Sequence, residues 1–178
     1  MEKGSGSKPK AKTTPKKAPV SVIEKAIDMC LKAARKNAKD GFRPFAAVLV
    51  PTDIQEHVYK STTLHPLICA VDRVEQDSDP SAHAELLAVR KACKKYRKTT
   101  LAGYTMVSVA FPCPMCISLL DWARIDGFYY CLPLQTVRIR NQEEMYRNVA
   151  KKNYRNVHLK PYQDIASDMF RSWLSGLR

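Results

Sequence analysis

Residues 79–96 read DPSAHAELLAVRKACKKY, residues 104–116 read YTMVSVAFPCPMC, and residues 117–132 read ISLLDWARIDGFYYCL. Asp79-Pro80 has the form of a helix start, an oxygen-bearing cap followed by proline in the first turn. A helix is expected from there to about Tyr96, with Leu86, Leu87, Val89 and Ala92 on its buried side. Gly103 marks a turn, and Tyr104 to Ala110 is an apolar run of strand length. Pro112 to Pro114 opens a second helix, lined by Ile117, Leu119, Leu120 and Ala123. Asp126-Gly127 then turns the chain into another apolar strand, Phe128 to Leu132. Helices alternating with buried strands predict an α/β layered sandwich.

Working outward, Ser21 and Glu24 have capping-box spacing. Ile23, Ile27, Cys30, Leu31 and Ala34 follow at helical spacing, and Asp40-Gly41 supplies a stop. Pro44 precedes Phe45 to Val50, an apolar run that reads as a buried strand, with residues 56–62 as a hairpin partner. Towards the C-terminus the pattern predicts a helix around 140–150, a short strand near Val157–Leu159 and a terminal helix from about Pro161. Residues 1–19 are Lys-, Pro-, Gly- and Ser-rich with no buried-face pattern and read as a disordered basic arm. Residues 20–178 are expected to form one domain.

The 178 residues carry a net charge of +13, and six lysines lie in the arm against one glutamate. Such a chain attracts nucleic acid, anionic nucleotides or acidic protein surfaces, or is simply well solvated. No apolar run approaches the roughly 20 residues that span a bilayer, and no signal-peptide pattern opens the sequence. A cytoplasmic location is expected, or a nuclear one if the Lys-rich arm is an address. Cys30, Cys93 and Cys131 sit in apolar patterns and read as small core residues. Cys113 and Cys116 form a Cys-x-x-Cys pair, which admits a metal or a redox reading.

The chemistry gathers at His83-Ala84-Glu85 and Pro112-Cys113-Pro114-Met115-Cys116, the two segments that open helices. Zinc prefers tetrahedral nitrogen and sulfur ligands, and a catalytic site keeps one corner for water, so three protein ligands are expected. His83, Cys113 and Cys116 supply one imidazole and two thiolates. A helix start favours thiolates, and Cys113 and Cys116 lie one turn apart there. Glu85 is two positions from His83, so both serve one site only if that site sits off the helix end. A carboxylate there handles the protons of a hydrolytic reaction. His-x-Glu together with Pro-Cys-x-x-Cys is the signature of zinc nucleobase deaminases. A fourth ligand, which a structural zinc site would need, is not evident; His65, His57 and His158 receive no role.

With these motifs the sequence resembles the cytidine-deaminase-like superfamily from about residue 21 to residue 132. Within it the chain is most similar to the guanine deaminases, through residues 79–85, Arg90-Lys91-Ala92-Cys93, the Pro112–Cys116 segment, Trp122-Ala123-Arg124-Ile125-Asp126 and Tyr129-Tyr130. The resemblance implies a three-layer α/β/α sandwich around a mixed five-stranded sheet. It also implies one catalytic Zn2+ per chain, a homodimer, and hydrolysis of guanine to xanthine and ammonia as part of purine metabolism.

Three positions depart from the family pattern. Phe111 stands where the family has Glu, Arg43-Pro44-Phe45-Ala46 replaces Gly-Pro-Phe-Gly, and Asp72-Arg73-Val74 replaces a base-contacting Asn-x-Val. An ionised aspartate only accepts hydrogen bonds, which favours a substrate edge rich in N–H groups; alternatively Asp72 is a loop carboxylate paired with Arg73. Phe45 is a candidate floor under the base or plain strand core. Ala84 is a candidate substrate contact. Phe170 and Trp173 echo an aromatic pair in the guanine deaminase tail, which covers a partner's site, or they are ordinary helix packing. Two other functions remain in view. One is an adenosine-to-inosine deaminase acting on tRNA, motivated by the basic arm and by Lys151, Lys152, Arg155 and Lys160. The other is a catalytically silent binding subunit, against which Glu85 argues.

Overall fold

The computed structural model describes residues 18–52, 67–136 and 156–176. Five strands form one sheet in the order β2-β1-β3-β4-β5. They are β1 (Ala46–Pro51), β2 (Ile68–Val71), β3 (Tyr104–Ala110), β4 (Gly127–Leu132) and β5 (Asn156–His158). β1 runs antiparallel to β2 and β3, with Val48 opposite Cys69 and Val107, whereas β3, β4 and β5 are mutually parallel. The sheet is therefore mixed.

Helix α1 (Val20–Lys39) and the C-terminal helix α5 (Gln163–Gly176) cover one face. Helices α3 (Ala84–Tyr96) and α4 (Pro114–Trp122) cover the other. β1 is buried along its whole length because its alternate residues serve both layers. Ala46, Val48 and Val50 meet Ile23, Ile27, Cys30 and Ala34 of α1, while Ala47 and Leu49 join the cluster of Ala88, Ala92, Ile117 and Leu120. This is the expected three-layer α/β/α sandwich. Among the described residues no helix is long and apolar enough to cross a membrane.

Strand β3 has the bounds read from the sequence, and β1 and β4 differ from them by one residue. The helix starts differ more. α1 begins at Val20 without a capping box: the Pro19 carbonyl accepts from Val22 and Ile23 N–H, both at 3.1 Å, and Ser21 falls inside the first turn. Ala18 is already buried in the core, so the folded body reaches into the expected arm; residues 1–17 lie outside the described residues.

Asp79-Pro80 does not start α3. The Asp79 carboxylate accepts from Ser81 N–H at 2.8 Å and Ser81 Oγ at 2.7 Å, closing a local turn. The Ala82 carbonyl is then taken by Arg73 N–H at 2.9 Å, and the first helical bond runs from Leu87 N–H to the His83 carbonyl at 3.0 Å. His83 thereby becomes the N-cap.

β2 and β3 are the described antiparallel neighbours of β1; the hairpin partner expected at 56–62 and the helix expected at 140–150 lie outside the described residues. The last strand is Asn156–His158, and the terminal helix follows a 3-10 turn at Lys160–Tyr162. A short helix α2 (Val74–Asp77), which the sequence pattern does not announce, follows β2.

The end of α1 matters for the site. Gly41 N–H bonds the Ala38 carbonyl at 3.1 Å and Phe42 N–H bonds the Asn37 carbonyl at 3.0 Å, a Schellman closure that needs the left-handed conformation Gly41 adopts at φ 88°.

Candidate metal centre and active site

α3 and α4 both start on the same side of the molecule, and each presents its N-cap residue to the same point. His83 caps α3 with φ −68°, ψ 149°, and Cys113 caps α4 with φ −69°, ψ 166°. Neither side chain makes a cap hydrogen bond, so both remain available as ligands. Cys116, fully buried one turn into α4, completes a group whose ligand atoms all lie within 4.8 Å of one another. His83 Nδ1 is 3.5 Å from Cys113 Sγ and 3.7 Å from Cys116 Sγ. Bonds of about 2.05 Å to nitrogen and about 2.3 Å to sulfur put N and S about 3.6 Å apart in a zinc tetrahedron. The donor set and its spacing fit zinc with one corner left over.

The electrostatics agree. The Cys113 thiol is held down to about 4, first by the hydrogen bond from Cys116 and then by His83, against the opposing effect of burial. Cys116 is pushed up by the same bond to Cys113 and by its own burial, so the pair shares one negative charge. His83 is raised above its usual range, chiefly by its contact with Cys113. Glu85, 8% exposed in the first turn of α3, lies with Oε2 3.6 Å from Cys116 Sγ. Burial raises its carboxyl to about 7.

Asp72 is 2% exposed and is electrostatically coupled to His83. Its carboxylate accepts from Val74 N–H at 3.2 Å and its pKa is raised, mainly by burial. It is not paired with Arg73, whose guanidinium forks onto Asp77 at 2.6–3.1 Å. Ala84 is the first residue of α3, where a helix N–H has no intrahelical partner.

Phe45 packs its ring 5.8 Å from Phe170, and Phe170 lies 5.9 Å from Trp173. The three rings fasten α5 to the start of β1 within the chain. Trp173 also lines a groove of about 550 Å³ with Arg35 and Lys39. Phe111, the departure beside the Pro-Cys motif, packs edge-on against Phe128 at 5.4 Å and Tyr130 at 5.0 Å, so aromatic packing accounts for that position. His158 stacks on Tyr130 and donates from Nε2 to the Cys131 carbonyl at 3.0 Å. His57 and His65 lie outside the described residues.

One residue beside the site escaped the sequence reading. Asn37 falls next on the buried stripe of α1 after Ala34, and a polar side chain on an apolar stripe is the signal that could have found it.

Residues 20–132 match the family described as the cytidine and deoxycytidylate deaminase zinc-binding region. Guanine deaminase of Bacillus subtilis is 39% identical over 59 residues, 33% of this chain and 38% of that one. A tRNA-specific adenosine deaminase of Aquifex aeolicus is 30% identical over 100 residues, 56% of this chain and 59% of that one. The matched segments thus span less than two-thirds of either relative. The solved guanine deaminase of Nitrosomonas europaea superposes with a TM-score of 0.66 over 96% of this chain and 100% of that one, at 20% identity, a likeness of fold. The family match covers more than half of the residues and contains every ligand of the metal centre, so the chain belongs to the cytidine and deoxycytidylate deaminase zinc-binding family.

Proposed function

We propose that the protein is a zinc-dependent hydrolytic deaminase of a purine base, converting guanine and water to xanthine and ammonia. The observation that carries the reading is the buried Glu85 carboxyl beside a three-ligand His83–Cys113–Cys116 centre. Zinc held there supplies an acidified water as nucleophile near neutral pH. Glu85, buried beside the three ligands, would take a proton from the attacking water as the new C–O bond forms. It would pass that proton to the ring nitrogen, then carry the remaining hydroxyl proton of the adduct to the leaving amine as the C–N bond breaks. Asp72 accepts from the N–H-rich edge of guanine, and Ala84 N–H offers a donor at the helix end. Phe45 is assigned to the floor under the base, and Trp173 to the tail that covers the site of a second copy. A homodimer, implied by the resemblance to guanine deaminases, would have the exposed Trp122 at the end of α4 available for contact.

The experiment is an ammonia-release screen across guanine, adenine, cytosine, their nucleosides and tRNA, run with wild type and Glu85→Gln. The expected result is turnover of guanine by wild type and a loss of about 10²–10⁴-fold in the variant, with zinc retained. Normal turnover by Glu85→Gln removes the carboxyl from its role.

A second reading, an adenosine deaminase acting on tRNA, is favoured by one specific feature. Arg90, Lys91, Lys94, Lys95, Arg97 and Lys98 are all exposed on the outer side and end of α3, and no acidic residue occurs between Glu85 and Asp121. None of the six is ion-paired among the described residues. Phosphate contacts made by such a patch weaken steeply with salt, whereas turnover of an uncharged base hardly responds, so a salt titration of the active substrate separates the two.

A further inference from the structure

Asp72 occupies the turn between β2 and α2, and its peptide is held from both sides. Its N–H bonds the Phe45 carbonyl at 3.0 Å, and its carbonyl accepts from Asn37 Nδ2 at 3.0 Å. The same Nδ2 donates to the Arg43 carbonyl at 2.8 Å, and Asn37 Oδ1 receives Gln76 Nε2 at 3.5 Å. One side chain, 7% exposed, therefore joins α1, the 43–45 segment, the Asp72 turn and α2. Its own backbone is fixed by the Schellman closure through Phe42 N–H. The residue after Asp72 carries the tie onward: Arg73 N–H bonds the carbonyl of Ala82, the neighbour of His83.

Two carbonyl oxygens meeting one nitrogen demand a group with two N–H bonds. An amide has them; a carboxylate of the same shape would set acceptors against acceptors, leaving the buried Asp72 carbonyl unpaired and the Arg43 carbonyl with only its bond from Phe45 N–H at 2.9 Å. The requirement is thus for asparagine as such and not for its size.

We infer that Asn37 is a positioning residue for substrate selection, holding the Asp72 turn beside the metal centre without touching substrate. The inference deepens the proposed purine-deaminase reading and rests on it for the role of Asp72. It differs from a plain stability role in acting through Asp72, so the two changes should not add.

The test uses the zinc-loaded full chain in a cycle of wild type, Asn37→Asp, Asp72→Ala and the double variant. Guanine turnover is followed as KM and kcat. The expected result for Asn37→Asp is a KM raised about tenfold, with kcat changed less than about threefold and zinc content unaltered. In the Asp72→Ala background the same change should move KM by less than about twofold. Additive effects, or an unchanged KM in Asn37→Asp, overturn the inference. Amide hydrogen exchange across residues 72–74 is read in parallel and needs no substrate. Exchange accelerated about tenfold or more in Asn37→Asp supports the tether, and unchanged exchange overturns it. A wild type that releases no ammonia from guanine defeats the substrate reading, and the exchange result then decides the role of Asn37 by itself.

Discussion

His83 and Cys113 occupy the same position in two different helices. Each is the N-cap, each keeps its side chain out of capping, and Nδ1 and Sγ end 3.5 Å apart although thirty residues separate them. An N-cap residue has extended backbone angles, so its side chain swings off the helix end where open N–H groups and the positive end of the dipole favour a thiolate. The metal centre is thus assembled from two helix beginnings, with Cys116 and Glu85 as the first-turn residues behind them.

Zinc uptake should release protons. In protein stripped of metal, the Cys113 thiol is held well below the usual thiol range and the Cys116 thiol well above it, so Cys116 keeps its proton at neutral pH. Zinc requires both sulfurs as thiolates, so binding at pH 7 is expected to release at least about one proton, and affinity should fall as pH falls. Calorimetry in buffers of different ionisation enthalpy measures the number. A heat of binding independent of the buffer would contradict the shared-charge arrangement.

Glu85 should make the metal-stripped protein less stable as pH rises. Its folded-state carboxyl, near 7, lies above the ordinary value of 4.5, so its contribution is full below about 4.5 and lost as pH climbs through 7. The loss is about 3 kcal/mol. Glu85→Gln has no carboxyl to ionise and should flatten this dependence. Urea unfolding at pH 5 and pH 8 checks it; equal slopes in wild type and variant would place the carboxyl in water.

Asp72→Asn should alter base preference more than metal content. An amide both donates and accepts where an ionised carboxylate only accepts, so relative kcat/KM is expected to move about tenfold toward bases that offer an acceptor. Zinc should stay at one per chain. A substrate profile identical to wild type would show that Asp72 does not meet the base.

Gly41→Ala should destabilise by about 1 kcal/mol. No atom lies within 4 Å of an added Cβ, so the cost is purely that of φ +88° in an L-residue. A denaturant midpoint equal to wild type would mean that the end of α1 relaxes into another closure.

The candidate site was legible in a few residues because a zinc-ligand set with a carboxyl beside it restricts the side chains that can serve. His83, Glu85, Cys113 and Cys116 announce themselves by type and spacing, and β3 by its unbroken apolar run. Local pattern failed where a hydrogen bond had a distant competitor. Asp79 resembles a cap, yet Arg73 takes the Ala82 carbonyl and shifts the helix start to the metal ligand itself. Phe111 takes its partners, Phe128 and Tyr130, from the neighbouring strand. Asn37 reaches Asp72 across thirty-five positions. The sequence by itself determined which atoms would hold a metal and which carboxyl would stand beside it. Only tertiary structure decided which residue caps which helix, how deeply Asp72 is buried and what holds it there. Those outcomes are set by competition among buried polar groups for partners that the packed sheet and helices bring together.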